Sequence, residues 1–587
     1  MARFDAFIGG SYQSQAVTAD CERSINWFPE VLQSPGASAK TVLYPTPGVE
    51  LVGEAATGNG RAHFAMAGRE FAVIGPALIE IYADGHTVNR GALALGDFPA
   101  TISSNGDLAS QLFITSGEYG YIFALDTNTL TQIAALSGKA TMGDYLDGYF
   151  LALDAKNSTL YYSALGDGLT WTPGADYEQR SLAPDPWRAM KVVGRYIWLF
   201  GEQTTEIWQD VGNETHPFAP FPSALLTYGV RAAFSVCVLG SAVIWLANTK
   251  SGRISIIRAS GQDPEIISTY PLESAMQGYT DLASAVADAY SYRGHSFYLL
   301  SFDRENITWA WDSETKLWHE RGTWVPQLSR YSSWRPRFYA FAFDDHRMLD
   351  MASGKIYRMG DDIVTDVDGV AIRRVRRAPG ILEENKRIYY SSLEVDFEPG
   401  LKTLTQTTTV PAEFVLYFQW VQEAESNIVT FTAIPVAGTF VVYNWDFGDG
   451  NTAEGSPADN YYPGSNNTYT ITLTCLGTDG NWYTLSTSMT TNYGIGQTGS
   501  VTGDDTPTTV TTELGAPHVM LRLSNDGGKT WWNEMMRSAG KLGEYLHRVR
   551  WNRLGCARRR VFEISVSDAA PWRIIGAYLE AKPTERP

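Results

Sequence analysis

Cysteine is scarce in this sequence. Cys21, Cys237, Cys475 and Cys556 are spread over 587 positions, and no CxxC pair occurs. A disulfide framework and a cysteine-ligated zinc site are therefore not expected. A chain of this length buries a large core without cross-links, and scattered single thiols are typical of proteins that fold in a reducing cytoplasm.

Positive charge is also in short supply. The 46 Lys and Arg residues are outnumbered by 64 Asp and Glu residues, which gives a formal net charge of −18. Binding along nucleic acid depends on clustered Lys and Arg that neutralise phosphates. The composition therefore argues against a protein that coats DNA or RNA, and it favours solubility.

The sequence lacks an obvious leader and a long hydrophobic segment. Its start, MARFDAFIGGSYQSQ, has no charged region followed by an apolar stretch, so no signal peptide is expected. The longest apolar stretch without charge lies between Arg231 and Lys250 and has Gly240 and Ser241 at its centre. A membrane-spanning helix needs about 20 mostly apolar residues. Two buried strands joined at Gly240 are the better interpretation, and no membrane span is predicted.

Motifs of common enzyme classes are missing. The sequence contains no HExxH, GxSxG or Walker loop, and its eight histidines show no metal-ligand spacing. Carboxylates such as Asp144, Asp147, Asp154 and Asp167 are expected in turns, since glycoside hydrolysis requires two carboxyl groups about 5–9 Å apart. We therefore predict no enzyme, with no catalytic, cofactor-binding or metal-ligating residues and no cofactor.

Strand pairs are what the sequence does contain. Each unit is an apolar strand, a polar turn and a second apolar strand, and successive units begin 38 to 54 residues apart. The units begin at Gly68, Ser110, Gly148, Gly194, Gly240, Gly294 and Phe338. Repeats of about 40–50 residues built from strands are typical of propeller blades. Blades must stack to bury both faces of each sheet, and ring closure removes exposed sheet edges.

These units predict an all-β protein with a β-propeller of six or seven blades at residues 61–400. An irregular β-sandwich with evenly spaced hairpins is the alternative. Residues 1–60 hold few strand signals and are interpreted as an N-terminal extended arm or platform segment, with turns at Gly-Gly and Pro-Gly pairs. No long amphipathic helix is apparent, and residues 282–290 are the candidate for a short one.

The composition changes abruptly near residue 400. From Thr403 to Met520 there is no Lys or Arg, while eleven acidic residues occur. Segments rich in Thr, Gly and Ser, at 403–413 and 494–517, have the composition of linkers. We therefore predict an inserted domain at residues 401–514, followed by a C-terminal β segment at residues 515–587 that completes the main body.

The insert contains a strand–turn–strand motif. Trp445, Asp446, Gly448, Asp449 and Gly450 lie in WDFGDG, and YTITLT follows from residue 469. Glycines here supply positive-φ turn positions, and Asp side chains bond their own turn backbone. The motif resembles the PKD family of immunoglobulin-like β-sandwiches, which implies an adhesion or spacer module. Turn hydrogen bonds are the favoured role of the two aspartates, and calcium ligation is the alternative.

The C-terminal segment carries an Asp-box pattern, S-x-D-x-G-x-T-W, at Ser524, Asp526, Gly528, Thr530 and Trp531. A tight hairpin is expected there, with the indole packed back onto the sheet. The motif also occurs in sialidases, but one copy without a pocket of arginines, a tyrosine nucleophile and an acid gives no evidence of glycosidase activity.

Basic residues cluster after this hairpin. We assign partner contact to Arg548, Arg550, Arg553, Arg558, Arg559 and Arg560, which alternate with apolar residues. Arg is enriched in protein interfaces, so a subunit or an acidic partner is favoured over DNA phosphates. A smaller basic cluster is Arg373, Arg374, Arg376 and Arg377.

Three stretches together resemble the tail hub or nozzle family of short-tailed bacteriophages, also called packaged-DNA stabilisation proteins or tail accessory factors. They are SINWFPE from Ser24, YPTPG from Tyr44, and the block Leu521–Ala581. The likeness covers about residues 1–400 and 515–587. The PKD-like insert departs from the plain family pattern.

This resemblance implies a structural protein of the virion tail, made in the bacterial cytoplasm. It implies a homohexameric ring below the portal and adaptor proteins that extends the DNA channel and retains packaged DNA. The implied partners are tail fibres or spikes, a plug or needle, and double-stranded DNA that passes without sequence-specific binding. Two alternatives stay open: a receptor- or carbohydrate-binding tail protein, and a propeller glycosidase.

Overall fold

In this computed structural model, the described part of the chain runs from residue 2 to residue 583. It leaves out residues 35, 38, 56–57, 97–98, 107–109, 180–181, 383–385, 399–404, 410–414, 438, 478–481, 493–496, 503–508, 514–516 and 541–546. The chain divides into two compact units: the body, Met1–Thr403 with Ala516–Pro587, and the insert, Leu404–Gly515.

Seven antiparallel sheets of the described residues form a propeller, which confirms the all-β fold. Six of the predicted hairpins are the two central strands of a blade, where alternating apolar residues are buried on both faces. The seventh, from Phe338, begins instead in the innermost strand of its blade. The innermost strands of blades 1 to 4 contact one another in order, as do those of blades 5 to 7, and the innermost strand of blade 7 contacts that of blade 1. Blade 5 contacts blade 4 through Tyr228–Val230, which meets the second and third strands of blade 4.

The strands of each blade, from the inside outward, have the following bounds. Blade 1 comprises Gly60–Met66, Arg69–Ile74, Ala77–Ile81 and Thr87–Ala92; blade 2 comprises Thr101–Ser104, Gln111–Ser116, Tyr119–Ala124 and Thr129–Ile133; blade 3 comprises Met142–Leu146, Tyr149–Asp154, Thr159–Ala164 and Asp167–Trp171, with Tyr177–Gln179; blade 4 comprises Trp187–Val193, Tyr196–Gly201, Thr205–Asp210 and Phe218–Leu226. Blade 5 comprises Tyr228–Val230 and Cys237–Leu239, Ala242–Thr249, Ile254–Ser260 and Asp263–Ile266; blade 6 comprises Val286–Tyr292, His295–Phe302, Ile307–Asp312 and Trp318–Val325, with Arg330–Ser333; blade 7 comprises Pro336–Ala342, Asp345–Asp350, Lys355–Gly360 and Gly48–Glu54.

The outermost strand of blade 7 comes from the N-terminal region. Gly48–Glu54 pairs antiparallel with Lys355–Gly360. This pairing closes the ring by joining residues about 300 positions apart in the chain. Apolar clusters fill the space between neighbouring blades, including the junction of blade 7 with blade 1, where Ile74, Ile79 and Leu349 pack together. Closure therefore buries the edge that an open array would expose.

The body also contains a two-sheet sandwich. Its first sheet continues from the outer strand of blade 6 through Cys21–Ile25, Arg374–Arg377, Arg559–Val566, His518–Ser524 and Met535–Ser538, with Tyr12–Gln13 and Ile381–Leu382 at its margins. Its second sheet consists of Trp27–Val31, Thr41–Pro45, Arg573–Pro583, Ile388–Glu398 and His547–Ala557, with Ala2–Arg3. A core that includes Trp27, Trp551 and Trp572 lies between them.

Residues 1–60 differ from the extended arm that the sequence suggested. Their strands belong to blade 7 and to both sandwich sheets. These strands are short, and apart from the local pairings of Tyr12–Gln13 with Cys21–Ile25 and of Trp27–Val31 with Thr41–Pro45, they pair with residues hundreds of positions away, so little local pattern marks them. The short helix also differs from expectation: it is Tyr270–Gln277, while Val286–Tyr292 is a strand of blade 6. Single helical turns occur at Asp5–Phe7, Ala134–Leu136, Ala233–Ser235, Pro326–Leu328 and Val367–Gly369.

The insert is itself a β-sandwich. One sheet consists of Ala458–Tyr461, Ile428–Ala437, Val415–Gln422 and Gln497–Thr502, and the other of Thr452–Glu454, Phe440–Asp446, Thr468–Gly477 and Trp482–Thr490. Parts of both predicted linkers lie outside the described residues. Two described parts, Thr405–Thr409 and Thr509–Glu513, pair as an antiparallel ribbon.

Candidate functional site

The Asp box forms a compact hairpin around one carboxylate. Asp526 accepts hydrogen bonds from the Ser524 hydroxyl at 2.7 Å, the Thr530 hydroxyl at 2.6 Å, and the backbone N–H groups of Lys529 and Thr530. These donors, the Thr530 hydroxyl above all, hold the pKa of Asp526 well below its usual range. Gly527 and Gly528 adopt positive φ angles of 79° and 90°, which side chains disfavour.

Trp531 leaves this hairpin to cover two arginines. Its ring lies 4.9 Å from the Arg377 guanidinium and 4.6 Å from that of Arg522. Both arginines donate to the carboxylate of Glu563, at 2.7 and 2.5 Å, and Glu563 is 1% exposed. The Asp box therefore fixes an indole over a buried ion cluster, and the ring restricts water from it.

The strand Arg374–Arg377, preceded by Arg373, lies beside this cluster. We call residues 373–377 the arginine segment. Because neighbouring residues of a strand point to opposite faces, Arg374 and Arg376 face inward, and Arg373 and Arg377 face the other way. The sequence showed this cluster, but it gave no sign of what the arginines contact.

The inward arginines bind backbone carbonyl groups. Arg376 is fully buried and donates to the carbonyls of Phe7 at 2.6 Å and Gly10 at 2.8 Å, and it pairs with Glu22. Arg374 donates to the Thr46 carbonyl at 3.3 Å, and burial lowers its pKa to about 9. The two side chains therefore hold the N-terminal residues against the sandwich.

The outward side chains join a row of charges that crosses five strands. Arg23 donates to both carboxylate oxygens of Glu320, at 2.7 and 2.6 Å, and it lies directly across the sheet from Arg377. Arg377 in turn meets Glu563, which also binds Arg522. This row links blade 6 to the C-terminal strands through the sheet that they share.

The predicted partner-contact arginines occupy different environments. Arg548 pairs with Asp396 at 3.1 Å, and Arg550 pairs with Glu394 at 3.0 Å, while both remain about half exposed. Arg559 is partly buried and donates to the Ala19 carbonyl. Arg553 and Arg558 are exposed, and no ion pair of either lies within the described part of the chain.

Arg560 is a correction to the predicted contact surface. Its side chain is fully buried, stacks over Tyr390 at 4.8 Å and donates to the Asn525 side chain at 3.1 Å. Burial lowers its pKa. Alternation along Arg559–Val566 turns this arginine into the sandwich, which the run of three arginines in the sequence conceals.

The turn motif of the insert is a structural unit. Trp445 is buried and donates its indole N–H to the Gly455 carbonyl at 2.8 Å. Asp446 accepts the Gly448 N–H at 2.9 Å. Asp449 accepts the Asn451 N–H at 2.9 Å and bonds the side chains of Asn451 and Asn460. Gly448 has φ 71° and packs against the backbone of Thr470, while Gly450 has φ 93°.

A metal site and a membrane-spanning helix are both absent from the described part of the chain. Within the described residues, no group of three or more His, Cys, Asp and Glu side chains is arranged to hold a metal ion. In that same part of the chain, no helix has the length and apolar character needed to cross a membrane.

Comparison with known families accounts for the body. The family profile described as "Bacteriophage P22 Gp10, beta-propeller" matches residues 10–364, and "Bacteriophage P22 Gp10, beta-sandwich" matches residues 496–582. The chain belongs to the bacteriophage P22 Gp10 family. It is therefore a structural protein of the phage tail and not an enzyme.

Solved structures give weaker similarities. The extracellular domain of the hybrid two-component system BT4673 from B. thetaiotaomicron is 10% identical, covers 77% of this chain and has a TM-score of 0.35. The match spans 60% of that protein's chain. The PKD1 domain of the Vibrio cholerae metalloprotease PrtV is 25% identical, covers 14% of this chain and 96% of its own, and has a TM-score of 0.12. No curated protein matches the chain.

Proposed function

We propose that this P22 Gp10 family protein is the tail hub or nozzle subunit of a short-tailed phage. Copies form a ring, a homohexamer, below the portal and adaptor proteins. The ring extends the DNA channel, retains the packaged genome, and anchors fibres or spikes at its side and a plug or needle at its end. The observation that carries this proposal is the family match to both the propeller and the sandwich.

The architecture of the body supports a role in a rigid wall. The outer strand of blade 6 contacts Cys21–Ile25 of the sandwich sheet through the Ile25–Glu320 bridge, so one sheet runs from propeller to sandwich. Relative motion of the two parts would break the Arg23–Glu320 ion pair and the hydrogen bonds of Asn26 to Gly322. A wall that withstands packaged DNA benefits from such a connection.

Charge supports passage of DNA without tight binding. The formal net charge of the chain is −18, and phosphate binding needs clustered cations. We infer that the surface facing the channel is acidic or neutral. Electron cryomicroscopy of purified tails tests this proposal: a sixfold ring around the DNA density is expected. A continuous arginine-lined bore would overturn the proposed channel surface, and absence of the chain from virions would overturn the hub.

Two exposed arginines are proposed to contact a neighbouring subunit or an acidic tail partner. Of the six arginines predicted to contact a partner, Arg553 and Arg558 remain as candidates. Arg560 is buried, and the other three have contacts within the body. We expect the double change Arg553→Ser and Arg558→Ser to lower ring formation, measured by native mass spectrometry. Arg195→Ser, at an arginine 84% exposed on blade 4, is the matched control. Equal ring formation by all three proteins would exclude this contact.

Carbohydrate binding by the insert is a second candidate function. Trp482 is 55% exposed at the end of a ladder of paired hydroxyl groups, among them Thr468 with Thr490 and Thr472 with Ser486. An exposed indole stacks on sugar rings, and hydroxyl groups bond their edges. A glycan array probed with the full chain should give signals that Trp482→Ala abolishes and Tyr461→Ala retains. Absence of selective binding by the unmodified protein would exclude this function.

A further inference from the structure

The outward face of the charge row forms the floor of an open cleft. The cleft has a volume of about 640 Å³ and lies in the body, between the end of blade 6 and the first sandwich sheet. Its floor includes Glu320, Arg23, Arg377, Glu563 and Arg522, and its wall includes Trp324 and Tyr331. Residues from four distant parts of the chain therefore build one concave surface.

Positive charge exceeds negative charge in this cleft. Six arginines and three glutamates line it, although the whole chain carries a net charge of −18. Glu320 and Glu563 are occupied by Arg23, Arg377 and Arg522. The third carboxylate, Glu305, pairs with no arginine among the described residues and instead accepts the hydroxyl and backbone N–H of Thr280 at 2.7 Å. The excess charge belongs mainly to Arg330 and Arg373.

Arg373 is held in a conformation suited to a carboxylate. Its guanidinium lies 4.3 Å from the centre of the Trp324 ring, and its side chain is 19% exposed. Among the described residues, the nearest carboxylate, Glu534, is 3.7 Å away, beyond a normal hydrogen bond, and the buried Nε has no hydrogen-bond partner. A guanidinium stacked on an indole has a fixed plane and binds a planar carboxylate with little loss of freedom.

Arg330 extends the same surface toward solvent. It is exposed at the start of the strand Arg330–Ser333, and within the described residues no carboxylate lies within 4.0 Å of it. Arg330 and Arg373 line one cleft, so two acidic side chains of a single extended peptide can reach both. The ring of Tyr331, partly exposed in the same cleft, offers an apolar contact.

We propose that this cleft binds an extended acidic peptide segment of another protein chain. An acidic segment fits better than DNA, because a duplex is too wide for a cavity of about 640 Å³, whereas an extended peptide fits. Carboxylates of the segment bind Arg373 and Arg330, while its backbone N–H groups face Glu305. The cleft binds such a segment whether or not the chain forms a ring.

The test uses the full chain and a fluorescein-labelled hexaglutamate peptide, with binding followed by fluorescence anisotropy at low salt. We expect saturable binding that Arg373→Gln weakens about tenfold and that weakens further as salt is added. Because Arg373 is mostly buried, Arg330→Gln provides a variant on the exposed rim that leaves the core untouched; a severalfold loss is expected. Arg195→Gln, on blade 4, is the control and should bind as the unmodified protein does.

Several results would overturn the proposal. They are no binding of hexaglutamate, equal binding of a labelled hexaglutamine peptide, or unchanged affinity of both Arg373→Gln and Arg330→Gln. Unlabelled competitors are added to the bound peptide. If a short DNA duplex or inorganic phosphate displaces it at a lower concentration than unlabelled hexaglutamate does, the cleft binds phosphate instead. Thermal unfolding of each variant separates lost binding from lost folding, since Arg330→Gln should melt like the unmodified chain.

Discussion

The body and the insert are both built from antiparallel strands, yet their polar contacts differ in range. In the body, arginine–carboxylate pairs join residues far apart in the chain: Arg23 and Glu320 are separated by 297 positions, and Arg377 and Glu563 by 186. In the insert, which has no Lys or Arg, hydroxyl pairs such as Thr472 with Ser486 bridge 14 positions.

The difference follows from topology. The body must hold its N-terminal strands against blades and sandwich strands formed much later in the sequence. Long guanidinium side chains that make several directed bonds suit this purpose, since each can bind a carboxylate and backbone carbonyls together. The insert, Leu404–Gly515, pairs its strands over shorter distances along the chain around an aromatic core, and it has no arginine to join them.

Glu563→Gln should produce the largest difference in stability between the body and the insert. It leaves Arg377, 13% exposed, and Arg522, 32% exposed, without their shared carboxylate, and loss of charge-assisted hydrogen bonds to a buried carboxylate costs about 3 kcal/mol. Calorimetry should show the body unfolding earlier while the insert transition stays in place. Glu202→Gln, which removes an exposed pair with Arg188, should cost less than about 1 kcal/mol. Equal effects of the two changes would contradict this account of the cluster.

A pH dependence is expected from Asp288, on the innermost strand of blade 6. Burial raises its pKa to about 6, although its carboxylate accepts the Tyr339 N–H at 2.8 Å. Stability from this raised pKa is complete below the unfolded value near 3.9 and is lost as pH rises through about 6. Asp288→Asn should therefore match the unmodified protein at pH 4 and be more stable at pH 8, by at most about 3 kcal/mol.

Denaturant unfolding at the two pH values measures this gain. Asparagine resembles the protonated carboxyl group: it keeps one oxygen to accept the Tyr339 N–H, while its amide nitrogen cannot accept the Ala289 N–H that the second carboxylate oxygen accepts at 2.9 Å. The insert transition should not respond, because Asp288 lies in the body. A stability difference that is the same at both pH values would contradict the raised pKa.

Trp445→Phe should destabilise the insert and leave the body unchanged. The change removes the indole N–H bond to the Gly455 carbonyl and part of the core volume, for a cost of about 2 kcal/mol. Only the insert transition should move in calorimetry. Trp482→Phe, at an exposed position, is the control and should leave both transitions unchanged. A shift of the body transition would show that the two units do not unfold separately.

The smallest expected effect concerns backbone strain. Arg553 has φ 58° at a bulge of the strand His547–Ala557, and arginine disfavours this left-handed conformation. Arg553→Gly should stabilise the body by about 0.5–1 kcal/mol. Asn466→Gly in the insert, at φ 65°, should change little, because asparagine tolerates this region. Chemical denaturation of both variants checks the contrast, and a destabilised Arg553→Gly protein would count against it.

Local signals in the sequence predicted much of this fold. The hairpins from Gly68 to Gly294 were recognisable because both strands lie within about 20 residues of each other and alternate buried side chains. The turn motifs at Asp526 and Asp449 were recognisable for the same reason, since their hydrogen bonds span two to eleven positions. Abrupt loss of Lys and Arg near residue 403 marked the insert.

Contacts between distant segments could not be predicted in this way. Nothing near Arg374 and Arg376 shows that their partners are the carbonyls of Thr46, Phe7 and Gly10. The direction of Arg560 depends on how the strand Arg559–Val566 pairs on both sides, with Arg374–Arg377 and with His518–Ser524. The cleft of Arg330 and Arg373 was unpredictable for the same reason.

The hairpins, their turns and the segregation of charge follow from the order of amino acids alone, because each depends on side chains that are close together along the chain. Tertiary structure alone decided which strand closes blade 7, which arginines are buried, and where positive charge collects in an acidic protein. Those outcomes depend on pairing between residues some 180 to 370 positions apart, and such pairings are selected by the packing of the whole body.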